Sequence, residues 1–469
     1  MTSGSRRRRK TPRLVLCLAV LLAACVSGPA VDLPDAGAAV PLAAVRVEDE
    51  RGPLGAARAQ AAIQRIARED ASGLLRHHLT HVEGAVTQPL VLGNDAHLLI
   101  DGPQTEAAMF AAIGAARRSV DIETYILEAE GAGARLAALL EKRRAEGIRV
   151  RVLYDSVGSL ATPREYFDRL RAVGVAVCEF NPVNPLQLQR HSRLNINNRD
   201  HRKLMVVDGS TAFTGGINIS AVYSSGSFSR KKRAPPDPKA GWRDTHVMAR
   251  GPVAMQFQQL FDDAWRTQGC HPADSGLREA AAPARAGNMA MRTVAADPLM
   301  ERSELYVALL SAIDHARRRV WLTYGYFVPD ERTVAALQSA AGRGVDVRMV
   351  LPGFSDFWAP FHAGRSHYSA LLEAGVRIYE RRDALLHAKT AVIDGVWSSV
   401  GSTNLDWRSF VHNFEVDLLV LDGDFADELE QLFRMDMDAS HEVSAREWKR
   451  RDIGTRMLEW FARRWEYLL

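Results

Sequence analysis

Apolar residues along this chain fall into two rhythms, and the pair of rhythms occurs twice. Residues 120–127, VDIETYIL, are a short apolar run of strand type, and residues 135–147, RLAALLEKRRAEG, carry apolar positions at helical spacing. Residues 148–155, IRVRVLYD, return to a strand pattern. The succession recurs at residues 320–328 (VWLTYGYFV), 333–344 (TVAALQSAAGRG) and 345–352 (VDVRMVLP). Each copy is introduced by the end of a helix, IGAARRSV at 113–120 and IDHARRRV at 313–320. Strand, helix and strand in alternation predict α/β layers around a mixed sheet.

A second internal match is tighter. HRKLMVVDGSTAFTGGINIS begins at His201 and HAKTAVIDGVWSSVGSTNLD at His387, and they align without a gap at an offset of 186 residues. His, Lys, Val, Asp, Gly, a later Gly and Asn coincide. Self-similarity of this kind divides the chain into two homologous halves, residues 95–285 and 286–440. An Ala-, Pro- and Gly-rich tether and a lead-in occupy residues 26–94, and an amphipathic C-terminal segment spans 441–469.

Charge adds a location. The formal net charge is +4, but Arg6, Arg7, Arg8, Arg9, Lys10 and Arg13 are six positive charges in residues 1–24, which hold no acid. Without those six the remainder stands at −2, so a broad field for a polyanion is missing and no nucleic-acid partner is expected. The basic cluster precedes an apolar run at 14–24 that closes in small residues, the form of a secretory signal over residues 1–25. Its ending, Leu22-Ala23-Ala24-Cys25, resembles a bacterial lipobox, in which Cys25 becomes the lipidated N-terminus. An uncleaved anchor running to about Val31 is the alternative, and both readings put the body on the extracytoplasmic, periplasmic side of a membrane. Of four cysteines, Cys17 lies in the signal, and Cys178 and Cys270 remain free to pair in an oxidising compartment.

The duplicated segment carries the chemistry. His201 with Lys203, and His387 with Lys389, stand two apart where a strand begins, which places each pair on one face. Asp208-Gly209 and Asp394-Gly395 signal hairpin turns. Gly215 and Gly401 are expected where backbone approaches a ligand closely, and Asn218 and Asn404 follow as amide donors. Two imidazoles, two ammoniums and two amides facing one another suit a phosphodiester: cations and amides hold the non-bridging oxygens, one imidazole attacks phosphorus, and the other protonates the leaving oxygen. An ammonium beside each imidazole would repel a divalent cation, so metal-free chemistry with no cofactor is expected.

H-x-K-x4-D followed by G-(S/G)-x-N, present twice, resembles the phospholipase D superfamily. The second copy, His387, Lys389, Asp394, Gly401, Ser402 and Asn404, fits that pattern fully, while the first has Gly216 where many members have Ser. Wider stretches resemble bacterial cardiolipin synthases: FNPVNP from Phe180, NNRDHRK from Asn197, GWRDTH from Gly241, YFVPDE from Tyr326, LLEAGVRIYE from Leu371 and NFEVDLLV from Asn413. The resemblance implies two α/β/α halves packed with pseudo-twofold symmetry around one active site. It also implies carboxylates supporting the histidines. Comparison of the halves aligns Asp244 with Glu415, which assigns Asp244 to His201 and Glu415 to His387. Asp208 and Asp394 are expected to set the turns and link the halves. His201 is the expected nucleophile and His387 the acid and base.

The implied reaction joins two phosphatidylglycerols into cardiolipin and releases glycerol, with phosphatidylethanolamine as an alternative donor and membrane phospholipids as partners. A hydrolase acting on lipid or nucleic acid is one rival, and a catalytically silent lipid-binding lipoprotein is another. Three further features suit lipid. Arg230, Lys231, Lys232 and Arg233 lie in a loop that only the first half has. Phe354, Phe357, Trp358, Pro360 and Phe361 cluster aromatics that either line an acyl-chain entrance or pack locally. Ile453, Met457, Trp460, Phe461, Trp465 and Leu468 make one helical stripe, either interfacial or docked on the protein's own core.

Overall fold

The computed structural model describes residues 38–183, 196–228, 241–270, 283–299 and 302–468. Cys25 with its leader, and Arg230, Lys231, Lys232 and Arg233, lie outside the described residues.

Within them, the alternating patterns resolve into two mixed sheets, each built on seven strands in one strand order, with short strands added at Val47–Asp49 and Ser440–Glu442. The first half contributes β1 (Leu90–Ile100), β2 (Ser119–Thr124), β3 (Arg149–Asp155), β4 (Ala176–Phe180), β5 (Lys203–Val207), β6 (Thr211–Gly215) and β7 (Thr245–Arg250). They lie in the order β4-β3-β2-β5-β6-β7-β1, the first three parallel and the others antiparallel to their neighbours. The second half contributes β8 (Met289–Asp297), β9 (Arg319–Tyr324), β10 (Asp346–Pro352), β11 (Arg377–Arg381), β12 (Lys389–Ile393), β13 (Trp397–Gly401) and β14 (Asn413–Leu421). Their order, β11-β10-β9-β12-β13-β14-β8, repeats the first. β1 and β8 also pair with each other, Asn94 opposite Met289 and Val91 opposite Met291, so the sheets join edge to edge.

Central strands β5 and β12 are buried at every residue, which is why KLMVV and KTAVI read as near-continuous apolar runs. Helices α1 (Ala56–Glu69) and α2 (Leu74–Val82) precede the first sheet, and α3 (Asp101–Ala115), α4 (Ala132–Ala145) and α5 (Arg164–Ala172) cover its outer face. α6 (Ala254–Thr267) lies on its inner face; α7 (Glu304–His315) and α8 (Glu331–Gly342) cover the outer face of the second sheet. α9 (Trp358–Arg365) and α10 (Tyr368–Glu373) come next, and α11 (Gly423–Asp438) sits beside α6 in the central layer. There Phe257 and Phe261 of α6 and Phe425, Leu429 and Phe433 of α11 share one core with Leu204, Val206, Val392 and Leu418. Burial of that much aromatic and aliphatic surface is what holds the halves together. The chain closes with α12 (Ala445–Lys449) and α13 (Ile453–Arg463).

The lead-in pairs residues 47–48 with the start of β1, but its helix α2 packs on the second half. Leu74, Leu75, Leu79 and Val82 of α2 join Leu305, Leu309 and Ile313 of α7 in one core. His78 Nε2 accepts from Trp397 Nε1 at 3.0 Å, and burial pushes that imidazole down to about 3, keeping it a neutral acceptor. Cys178 of β4 and Cys270, just past α6, form a disulfide with Cα atoms 5.8 Å apart. Among the described residues, no helix is long and apolar enough to cross a membrane.

Candidate active site

Each hairpin sets its aspartate and glycine in left-handed backbone: φ is 54° at Asp208 and 68° at Gly209, 53° at Asp394 and 72° at Gly395. Asp208 then accepts backbone N–H bonds from Arg117, Arg118 and Ser119 at 2.7–2.9 Å. Asp394 does the same for Arg317, Arg318 and Arg319, each at 2.9 Å. Both carboxylates therefore pin the hairpin to the central strand of their own half. They do not link the halves, and they stand about 20 Å along the strand from the histidines.

At the other end of β5 and β12, His201, Lys203, His387 and Lys389 converge. The expected pairing of carboxylates is reversed. His201 Nδ1 lies 2.9 and 3.0 Å from the two oxygens of Glu415, and His387 Nδ1 lies 2.7 Å from Asp244 Oδ2. The reason is in the backbone. The His201 N–H donates to the carbonyl of Phe414, and the His387 N–H donates to that of Arg243, at 2.9 and 2.8 Å. Each histidine thus sits beside the residue preceding the other half's carboxylate, and its imidazole reaches across. Buried Arg243 braces this crossing, donating Nε and Nη2 to Asp436 at 2.7 Å each, and Asp436 also pairs with Arg381. With Nδ1 taken in both rings, Nε2 is left for substrate.

The two dyads differ in charge. Burial raises the Glu415 carboxyl to about 7, in spite of Lys203 and the Ser402 hydroxyl. Burial opposes charge on Asp244 too, but the bond to His387, nearby Lys389 and the Thr245 N–H hold it below the ordinary carboxylate range. His201 is pushed well down by burial and by Lys203 and Lys389, and so rests neutral. His387 is lowered by burial and Lys389 as well, with Asp244 acting the other way. Burial brings Lys203 to about 7 and Lys389 to about 8, so both ammoniums titrate near neutral pH. Each donates to the carbonyl of its own histidine, Lys203 at 2.5 Å. Tyrosines flank both rings edge-on, Tyr125 at 5.0 Å from His201 and Tyr326 at 5.9 Å from His387.

Ser402 donates to Glu415 Oε2 at 2.6 Å. At the equivalent place, a Cβ on Gly216 would come within 2.1 Å of Asp244 Oδ1, so no serine fits there. The missing hydroxyl is supplied by Tyr223, which sequence reasoning passed over. Its oxygen is 3.1 Å from His387 Nδ1 and is hydrogen-bonded to Asp244 and Asn218. The departure at Gly216 was the signal available in the sequence: a carboxylate that loses one hydroxyl needs another.

Gly215 and Gly401 lie close against neighbouring strands. A Cβ at Gly401 would meet Asp417 at 2.1 Å, and one at Gly215 would meet the Thr245 carbonyl at 2.5 Å. Asn218 accepts from the Ile126 N–H at 3.2 Å while bonding Tyr223, so its amide organises the site. Asn404 is buried with Oδ1 unpartnered among the described residues. Also unanticipated is the one-turn spacing of His77 and His81 on α2, whose rings lie 5.5 and 4.7 Å from that of His315. No group of three His, Cys, Asp or Glu among the described residues is placed to hold a metal ion.

Residues 109–226 and 309–437 match the family described as "Cardiolipin synthase, PLD-like domain". The chain is 38% identical over 359 residues to cardiolipin synthase A of Pseudomonas fluorescens SBW25, covering 76% of this chain and 72% of that one. It is 35% identical over 358 residues to cardiolipin synthase A of Pseudomonas aeruginosa LESB58, covering 76% and 69%. The crystal structure of phosphatidylserine synthase from Haemophilus influenzae Rd KW20 shares the fold, with a TM-score of 0.58, 13% identity, and coverage of 80% of this chain and 95% of that one. Paired motifs, crossed dyads and these likenesses agree: the chain belongs to the cardiolipin synthase family of phospholipase D-like phosphatidyltransferases.

Proposed function

We propose that this enzyme joins two phosphatidylglycerols at the extracytoplasmic face of a membrane, through a covalent phosphatidyl adduct on His201. His201 Nε2 attacks phosphorus, the bond from phosphorus to the glycerol headgroup oxygen breaks, and His387 gives that oxygen its proton. The now neutral His387 takes the proton from a hydroxyl of the second phosphatidylglycerol. That oxygen attacks phosphorus, the P–N bond breaks, and cardiolipin leaves. Lys203 and Lys389 neutralise the non-bridging oxygens, and the Asn404 amide N–H donates to them.

The observation that carries the assignment of roles is the contrast between the dyads. Glu415, raised to about 7, leaves His201 uncharged for attack, while anionic Asp244, 2.7 Å from His387 Nδ1, opposes the lowering that burial and Lys389 impose on that imidazole and so favours its protonated form as the acid. The basic leader ending in Cys25, and the Cys178–Cys270 bond, support the location.

A phosphatidyl ester of p-nitrophenol, whose leaving group needs no proton, tests the roles. His387→Ala should still release p-nitrophenol once and retain the phosphatidyl group on His201, read by mass analysis of the peptide after a detergent quench near neutral pH, where the P–N bond survives. His201→Ala should release none. An adduct on His387 in the His201→Ala protein would reverse the assignment, and dominant phosphatidic acid from wild type in phosphatidylglycerol vesicles would favour the hydrolase.

A further inference from the structure

An amphipathic helix on a globular protein normally buries its apolar stripe and shows its polar side to water. α13 does the reverse. Its docked face consists of Glu459 and Ala462, 2% and 1% exposed, with Ala462 packed on Val328 and Ala363. Glu459 is held there by Arg451 Nε at 2.8 Å. Asp452 caps the first turn, accepting from the Thr455 N–H at 2.9 Å. The helix is therefore fixed in this orientation by a cap, an ion pair and a packed alanine.

Outward stand Ile453, Met457, Leu458, Trp460 and Phe461, exposed by 75%, 66%, 47%, 60% and 46%. Helix α9, packed against α13, begins with Trp358 and is preceded by Phe357, 52% and 50% exposed. Of thirteen exposed large apolar side chains among the described residues, these two neighbours hold seven, a concentration that single scattered residues do not explain. The rim is basic. Residues 446–464 carry seven Arg and Lys against three acids, and Arg464 lies over the Trp460 ring at 4.8 Å. At the foot of the helix a cleft of about 660 Å³ is lined by Arg365, Arg382, Arg446, Arg450 and Arg451 against two glutamates. The surface also borders the site: Tyr326, edge-on to His387, donates to Asp356, the residue before Phe357, at 2.6 Å.

We infer that α13 and the start of α9 seat the enzyme on an anionic phospholipid surface, apolar stripe in the acyl boundary and arginines among the headgroups. A second copy of this chain is a poor occupant, because a two-fold contact would set the same arginines against one another. The membrane spares that repulsion and meets the basic rim with opposite charge. The partner's chemistry rests on the phosphatidyl-transfer reading, and the test separates the two.

An environment-sensitive fluorophore at Met457→Cys in the full-length protein should be quenched by phosphatidylglycerol vesicles bearing doxyl-labelled chains, and much less by phosphatidylcholine ones. Met457→Glu with Trp460→Glu should lower turnover of long-chain phosphatidylglycerol in vesicles about tenfold or more. It should leave turnover of monomeric dihexanoyl phosphatidylglycerol unchanged. A label that stays in water overturns the inference, as does one shielded in a dimer that the glutamate variant splits. An equal loss on both substrates overturns it too, making α13 a brace for the site. If wild type turns over neither lipid while the label is quenched, the transfer reading fails and the surface stands.

Discussion

The two halves share a strand order, a His-x-Lys spacing and a hairpin, yet they serve their histidines differently. His201 rests on Glu415, a longer carboxylate held by the Ser402 hydroxyl and raised toward neutrality by burial. His387 rests on Asp244, a shorter one kept ionised and met by the Tyr223 hydroxyl. A carboxyl near neutrality keeps its imidazole uncharged, which a nucleophile requires, whereas a firm carboxylate favours imidazolium, which an acid requires. Two-fold symmetry of backbone therefore does not impose symmetry of chemistry. Small changes of side-chain length and hydroxyl source give the two histidines different surroundings.

Exchange of the carboxylates for amides probes this contrast most strongly. Glu415→Gln and Asp244→Asn should each lower cardiolipin formation on the order of a thousandfold, as when the orienting acid of a histidine pair is removed. With the p-nitrophenol ester they should part company. Release of p-nitrophenol needs only His201, so Glu415→Gln should slow the burst about a hundredfold and Asp244→Asn by no more than about threefold. Stopped-flow absorbance reads the burst, and the opposite ranking would return each carboxylate to its own half's histidine.

The hydroxyl exchange is a finer probe. Tyr223→Phe should reduce kcat about three- to tenfold, the worth of one hydrogen bond to a charged group. The acid limb of the pH profile should move, because Asp244 and His387 both lose a partner. Gly216→Ser should cost more than Tyr223→Phe, since its Cβ falls on Asp244. A harmless Gly216→Ser would show that the serine hydroxyl fits after all.

Smallest in rate is the effect expected at the hairpin. Asp394→Ala removes the acceptor of three backbone N–H groups and should cost about 2–4 kcal/mol in urea unfolding. Turnover per folded molecule should stay within about twofold, because no reacting group is touched. A large fall in kcat at unchanged stability would restore this aspartate to the chemistry.

The strand–helix–strand alternation of both halves and the convergence of His201, Lys203, His387 and Lys389 were legible because they are matters of period and repetition. What alignment of the halves did not reveal was who partners whom. It shows that Asp244 and Glu415 occupy equivalent places, and equivalence under a two-fold axis is compatible with pairing inside a half or across. The Phe414 and Arg243 carbonyls that decide the matter belong to tertiary contacts. Gly215 and Gly401 were legible only in part for a related reason: a glycine marks a close approach without naming what approaches, and a neighbouring strand lies against each. Packing of α2 on the second half was equally invisible, since an apolar stripe does not say which core it will join. The stripe on α13 was visible in the sequence, and only its outward orientation required coordinates.

Crossing of the dyads has a consequence for any protein that carries one such half. Separated from its sister, the first half would keep His201 and lose Glu415, and the second would keep His387 and lose Asp244. Neither fragment is a slower enzyme; each is a histidine without its orienting acid. An ancestor with a single half would have been competent only as a twofold dimer, exchanging carboxylates between subunits. Fusion of two such genes would preserve that exchange and free each copy to specialise.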